Sequence, residues 1–530
     1  MRYNKIILIC SLFTLIALSG CKKVLETSPA TSLDESLAFS TADKCLAAVN
    51  GVYDAAQSGF YAGGAVRGYP FGGANIEQGD MRGEDMHNNA TFYQITYEST
   101  YDPSSANNVY MWHTLYALIN RANLVREGVN RAAAAGIITT AVAAQYDAEC
   151  RFMRAWAHHE LLIHYCRPYA DNNGNNLGVT YRDTGINSIQ KINDAIAFNR
   201  PRDLVSTCYN KILADLNAAE PNLPTAKNTY RATRAACILL KMRVKMHMGD
   251  WSATTGVASE AAKLISGTFP NYSSPIGAFK LTSSPDGPFL NNASEESIFS
   301  IKNDANDNPG VNGALPAMYG ALSVGGRGLI DIAQTMWNYS YWRCDDLRRT
   351  LLTLAGTTYY YTTKYKDVVS RTDAAPQMRY AEVLLTAAEA YARNAAGTSV
   401  DPTAVDYLNA VRNRALPPAT LPGSAYTVAS FATKTDLLKA IIAERRIEFL
   451  AEGKRWADIH RLALDPVLGT GGIPAKVATL YSNFAGYNCT TNPTIPTTLT
   501  AKPYSDYRFI WPIPADEITS NPACAQNPLY

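Results

Sequence analysis

Apolar and small residues recur at three- and four-residue spacings in segment after segment of this chain, and between those segments lie long stretches with no period at all. The first pattern predicts amphipathic helices that must bury one face against a neighbour. It runs through residues 41–57, then 108–129, where Trp112, Leu115, Tyr116, Ile119 and Leu124 share a broad face. In residues 146–165 it puts Phe152, Ala155, His159 and Leu162 on one stripe. Residues 201–219 open with Pro201 at a first-turn position. Residues 233–248 stop at Gly249, with 252–266 as a second short helix behind them. Further helices are predicted over 377–395, 403–415 and 436–451, where Ala387, Ala388 and Ala390 permit close approach. Such pairs look like tetratricopeptide units without a clean fixed repeat. The aperiodic stretches are 59–107, 171–199, 269–328 and 466–507, rich in aromatic residues and glycine and too long to be mere connections. Short strands are predicted at 297–301 and 359–365.

The chain begins Met1-Arg2-Tyr3-Asn4-Lys5, continues apolar through residues 6–18 and reaches Leu18-Ser19-Gly20-Cys21. A basic start, a short apolar run and small residues before a cysteine form a lipoprotein signal peptide over residues 1–20. That run is too short to span a bilayer comfortably. Cleavage before Cys21 makes it the expected lipidation site, and acyl chains there, palmitate among them, tether a water-soluble body to a membrane. Loss of residues 1–20 removes Arg2 and Lys5 from totals of 48 basic and 46 acidic residues, leaving the signs equal. A net charge near zero argues against nucleic acid or anionic lipid as the main partner. None of the 10 cysteines forms a Cys-x-x-Cys pair, so a metal or redox signature is missing. Cys150, Cys166 and Cys237 sit in or beside helical patterns and read as small core hydrophobes. Export permits disulfides, whose pairing the sequence does not reveal.

Two constellations invite a catalytic reading. Glu444, Arg445, Glu448, Glu452 and Arg455 fall three or four residues apart, so opposite charges meet along one helix face. A glycosidase would use two such carboxylates as acid and base. Interleaved arginines instead keep them ionised, where a general acid needs a raised pKa. The pattern therefore reads as a structural ion network. His159 and His164 are five apart, and Ile163 occupies the place a zinc-protease helix would give its second histidine. His159 is expected to pack and His164 to lie nearer the periphery. Neither a catalytic residue nor a metal ligand is assigned.

Glu444-Arg445-Arg446-Ile447-Glu448-Phe449 with Glu452-Gly453-Lys454-Arg455 and Asp458 is one block, followed by Trp511-Pro512-Ile513-Pro514, Asn521-Pro522 and Gln526-Asn527-Pro528-Leu529-Tyr530. Taken together, these blocks resemble the SusD/RagB family. Arg151-Phe152-Met153-Arg154-Ala155, Asp346-Leu347-Arg348 and the stretch from Tyr380 to Ala390 agree, and the resemblance runs from the cysteine-terminated signal to the last residue. Leu529 stands where the family usually has glycine, and Ala451 where it has an aromatic or apolar residue.

The resemblance implies a mainly α fold: tetratricopeptide-like helix pairs in a right-handed superhelical scaffold, carrying a large loop-rich ligand face. Residues 21–270 would form the N-terminal helical region and 271–530 the C-terminal region bearing that face. It also implies a non-enzymatic outer-membrane lipoprotein facing the cell exterior, without a cofactor. Such a protein captures a nutrient, an oligosaccharide or a peptide, and passes it to a SusC-like TonB-dependent transporter. The family's sugar platforms fall here on residues 67–101 and 303–327. Tyrosine, at 32 residues against 15 phenylalanines, offers a flat face and a hydroxyl to a sugar. Tyr93, Tyr97 and Tyr319 are the expected platform, with Arg67, Asp80 and Asn306 as polar partners. Trp337 and Trp342, at helical spacing with Leu329, Ile332 and Met336, are expected in the core. Asp304, Asn306 and Asp307 have the oxygen chemistry for calcium. Two other readings stay open: a glycan-processing enzyme, which needs an unpaired carboxyl couple in a cleft, and a helical adaptor without a small ligand.

Overall fold

The computed structural model describes residues 35–197 and 200–530. The signal segment 1–20 and Cys21 lie outside the described residues. Helix α1 (Ala42–Ser58) starts where the Thr41 hydroxyl accepts the Lys44 N–H, one of the orphan donors of a helix start. It is followed by α2 (Ala74–Arg82) and the long hairpin α3 (Ala106–Ala134) and α4 (Thr140–Tyr165). Next come α5 (Val205–Ala219), α6 (Arg234–Met248) and the single turn α7 (Val257–Ala261). The C-terminal half adds α8 (Tyr380–Asn394), α9 (Pro402–Asn413), α10 (Lys434–Glu448) and α11 (Lys454–Leu462). Helices pack on their sequence neighbours, α3 on α4, α4 on α5, α6 on α7, α8 on α9 and α10. This is the mainly α, helix-pair scaffold that the periodicity predicts. None of the described helices is long and apolar enough to cross a membrane.

Among the described residues, strands form two-stranded antiparallel pairs. β1 (Met86–Asn88) pairs with β3 (Ile330–Ile332), β2 (Ser297–Ile301) with β6 (Ala375–Arg379), β4 (Thr353–Ala355) with β5 (Tyr360–Thr362), and β7 (Gly472–Ile473) with β8 (Lys502–Pro503). These pairings correct three expected helices or their bounds. Residues 377–379 belong to β6, because β2 claims their backbone before α8 begins at Tyr380. Pro201 precedes α5 and does not open it, since Asp203 and Leu204 pair with Val179 and Leu177. Only Val257–Ala261 of the stretch 252–266 is helical; the Asp250 carboxylate caps the turn before it, and Ser266 pairs with Ser273. Leu329 precedes β3, Ile332 ends it and Met336 lies in the single turn Gln334–Trp337, yet Trp337 and Trp342 are buried as expected.

The core runs across position 270. Phe71 stacks on Trp156 at 3.5 Å, and Trp156 meets Phe299 edge-on at 5.6 Å. Residues 509–527 close it from the far end of the sequence. Arg82 donates to Phe509 O at 2.7 Å and lies 3.4 Å over the Trp456 ring. Asn527 Nδ2 donates to both Tyr165 O and Trp511 O at 2.8 Å. Cys45, Cys150, Cys166, Cys208, Cys237 and Cys524 are buried free thiols, while Cys344 and Cys489 form a disulfide.

Candidate functional site

The charged face of α10 is spent on structure. Glu448 meets Arg414 at 2.6 Å, Arg348 at 3.0 Å and Arg379 at 3.1 Å. Glu444 meets Arg348 at 2.6 Å, Glu452 meets Lys364 at 2.6 Å and Arg379 at 2.8 Å, and Glu296 ties Arg414 and Arg379 together. Burial alone would push the Glu448 carboxyl up, but three guanidinium groups pull it down to about 2. A carboxylate held that firmly is a poor general acid. His159 is packed as expected, but His164 is not peripheral: it is buried, stacked on Trp511 at 4.6 Å and bonded to Glu160 at 3.2 Å.

Four of the six expected ligand residues are interior. Tyr93 and Tyr97 are 1% exposed, Tyr319 0% and Asp80 3%. Their polar atoms are used inside: Tyr93 donates to Glu77 at 2.7 Å, Tyr319 to Asp80 at 2.7 Å, and Tyr97 to Val477 O at 2.9 Å. Asp80 also accepts the Gly453 N–H at 3.0 Å. A phenol whose hydroxyl finds an internal acceptor can bury its whole ring at little cost, so these residues lie beneath the face and expose no ring on it. Asn306 is exposed. Asp304 Oδ1 accepts the N–H groups of Asn306 and Asp307 at 3.0 Å, so the carboxylate offered to calcium caps its own turn. No cluster of three or more metal-holding side chains occurs among the described residues.

Arg67 lies at the surface where the two expected regions meet. After α1 the chain turns at Gly59 into the loop carrying Phe60, Tyr61 and Arg67. Gly313 lets the second loop lie on the first: a Cβ there would stand 2.4 Å from the Arg67 carbonyl carbon. The consequence is a patch of rings and guanidinium groups. The Arg67 Cζ is 4.2 Å from the Tyr61 ring centre and 5.1 Å from that of Phe92, and the Arg327 Cζ is also 5.1 Å from Phe92. Tyr61 packs on Tyr110 at 4.4 Å, and Phe60, 44% exposed, stacks beside His113 at 6.3 Å. Tyrosine counting pointed to Tyr93, but its neighbour Phe92 carries the half-buried ring. The signal available in the sequence was the arginine at the end of each loop, Arg67 and Arg327.

A second aromatic stack adjoins through the β1–β3 and β4–β5 pairs. Tyr360 on β5 stacks on Trp337 at 3.9 Å and on Phe484 at 5.4 Å, and Phe484 is 41% exposed. The Cys344–Cys489 disulfide fastens the Phe484 loop to the segment after Trp342. Elsewhere a polar cleft of about 520 Å³ lies between α1 and the end of β2, lined by Asn50, Asp54, Gln57, Tyr230, Lys302 and Asp307.

Residues 48–244 match the family described as "Starch-binding associating with outer membrane", and residues 323–530 match the "SusD family". Two relatives from Formosa agariphila, SusD-like protein P2 and SusD-like protein P38, are 27% and 24% identical to it. They align over 89% and 85% of this chain and 93% and 90% of their own lengths. A SusD superfamily protein from Bacteroides fragilis superposes with a TM-score of 0.73 at 25% identity, covering 92% of this chain and 99% of its own. Surface glycan-binding protein A from Bacteroides thetaiotaomicron, solved in complex with laminarihexaose, superposes with a TM-score of 0.64 at 21% identity, covering 92% and 99%.

Proposed function

Because the chain belongs to the SusD/RagB family, we propose that it is a glycan-binding, non-catalytic lipoprotein of the outer membrane, anchored through Cys21 and facing the cell exterior. It captures an oligosaccharide and delivers it to a SusC-like TonB-dependent transporter. The observation that carries this reading is the surface patch of Phe60, Tyr61 and Phe92 flanked by Arg67 and Arg327. Flat rings give a pyranose its apolar face, and guanidinium donors take its hydroxyl edge. The laminarihexaose held by a protein of the same fold supports a glycan as the class of ligand. Glu448, held ionised by three arginines, cannot serve as a general acid, and Glu444, whose carboxyl burial pushes up, is itself buried against Arg348, so the pair favours capture over hydrolysis.

Calorimetric titration against a panel of hexasaccharides tests capture. Phe92→Ala should weaken the best ligand by about tenfold, the worth of one lost ring contact, with a modest fall in melting temperature because the half-buried ring also packs on the core. New reducing ends on incubation would point to the enzyme instead. Delivery is tested by pull-down of the lipidated protein from native outer membranes. Recovery of a large barrel at equal stoichiometry supports it, and recovery of the protein alone counts against it.

A further inference from the structure

We propose that the surface around Phe92 selects anionic glycans, taking a sugar carboxylate or sulfate ester on the guanidinium groups of Arg67 and Arg327. This rests on the glycan-binding reading and names the class of sugar. Arginines of this protein are commonly satisfied from within: Arg82, Arg202 and Arg349, which meet no carboxylate, donate to backbone carbonyls. Arg348, Arg379, Arg414, Arg446, Arg455 and Arg461 each meet one or more carboxylates. Among the described residues, no Asp or Glu lies within ion-pair distance of Arg67 or Arg327. Both instead rest on aromatic rings, which hold a cation in place but supply no formal negative charge.

Their donors are also underused. Arg67 Nε is buried without a hydrogen-bond partner. Arg327 Nη1 donates to Asn312 Oδ1 at 2.6 Å, a neutral acceptor, and approaches the Met318 sulfur at 3.8 Å. The carboxyl whose field reaches Arg327 is Glu77, buried beneath the patch and bonded to the Tyr93 hydroxyl. Burial pushes it up to about 8, so at neutral pH it is mostly protonated and neutralises nothing. Two partly exposed guanidinium groups near one ring thus present their remaining donors, chiefly the Nη groups of Arg67, without a counter-ion. An oxyanion that can turn two oxygens toward one guanidinium, as a carboxylate or a sulfate ester can, is what such a group binds best, and the neighbouring rings accept the sugar that carries it.

The test is calorimetric titration of the whole protein with hexagalacturonate, a sulfated glucan hexasaccharide, neutral laminarihexaose, hexaglutamate and inorganic sulfate, at low and at high salt. At least one anionic hexasaccharide should bind about tenfold or more tightly than laminarihexaose, and the preference should shrink as salt rises. Which of the two wins tells carboxylate from sulfate. Arg67→Gln and Arg327→Gln should each cut the anionic-to-neutral ratio by about tenfold. Arg67→Lys and Arg327→Lys should keep part of it, because charge survives while the fork is lost. Equal or tighter binding of laminarihexaose overturns the inference and leaves glycan capture standing. Equal binding of hexaglutamate or of sulfate alone overturns it too, since the patch would then read charge without sugar. If no glycan of any charge binds, the underlying function falls and takes this inference with it.

Discussion

Glu77 and Glu448 are two buried glutamates with opposite fates. Glu448 sits among three arginines and is held down to about 2, while Glu77 has only a phenol and is pushed up to about 8. The signs of their linkage to folding follow. Glu448 loses its proton more easily folded than unfolded, so its contribution is present above the ordinary value of 4.5 and is lost as pH falls towards about 2. Glu448→Gln should cost about 3–5 kcal/mol in urea unfolding at pH 7, since three guanidinium groups lose a shared partner. That deficit should shrink at low pH. Glu77 binds its proton more tightly folded, so its contribution is full below 4.5 and declines as pH rises through about 8. Glu77→Gln should therefore be near neutral at pH 5 and more stable than the parent at pH 9, by a few kcal/mol at most. A variant that lost stability uniformly with pH would contradict the assignment. The charged face of α10 was legible in the sequence as an ion network, but its partners were not: Arg348, Arg379 and Arg414 reach Glu448 from distant segments, while the expected Arg445 and Arg455 pair with Asp458 and Glu84 instead. The placement of Tyr93, Tyr97 and Tyr319 was not legible, because a tyrosine that buries its ring and one that offers it to a sugar have the same local pattern.

Among the elements, the starts of α1 and α6 were read to within a residue, where Thr41 and Thr233 each accept a backbone N–H, whereas α10 begins at Lys434 behind the Thr433 cap and not at 436. The period could not foresee that residues 375–379 pair with β2, because a partner roughly 80 residues away in sequence decides it. The loops were legible as loops, and the two expected regions do meet, but the contact depends on Gly313. Gly313→Ala should destabilise by about 1–3 kcal/mol, as overpacking against rigid backbone does, and should weaken glycan binding by displacing Arg67. Unchanged binding with unchanged stability would show that the loops meet some other way. Thermal unfolding and titration of the same sample measure both.

For the whole molecule, mainly α architecture and family were legible from period and motif, whereas the pairing of Cys344 with Cys489 was not, because those residues lie 145 apart and outside any pattern. Replacing both by serine should lower stability by about 2–5 kcal/mol, as loss of a loop-closing link does, with a matching fall on adding reductant. An unmoved urea midpoint would mean that the link constrains nothing. The closure of the core by residues 509–527 bears on timing. Asn527 completes hydrogen bonds to Tyr165 and Trp511, the first of them 362 positions back. Helix α4 thus shares a contact with residues made long after it, so its packing is complete only once the far end of the chain is in place.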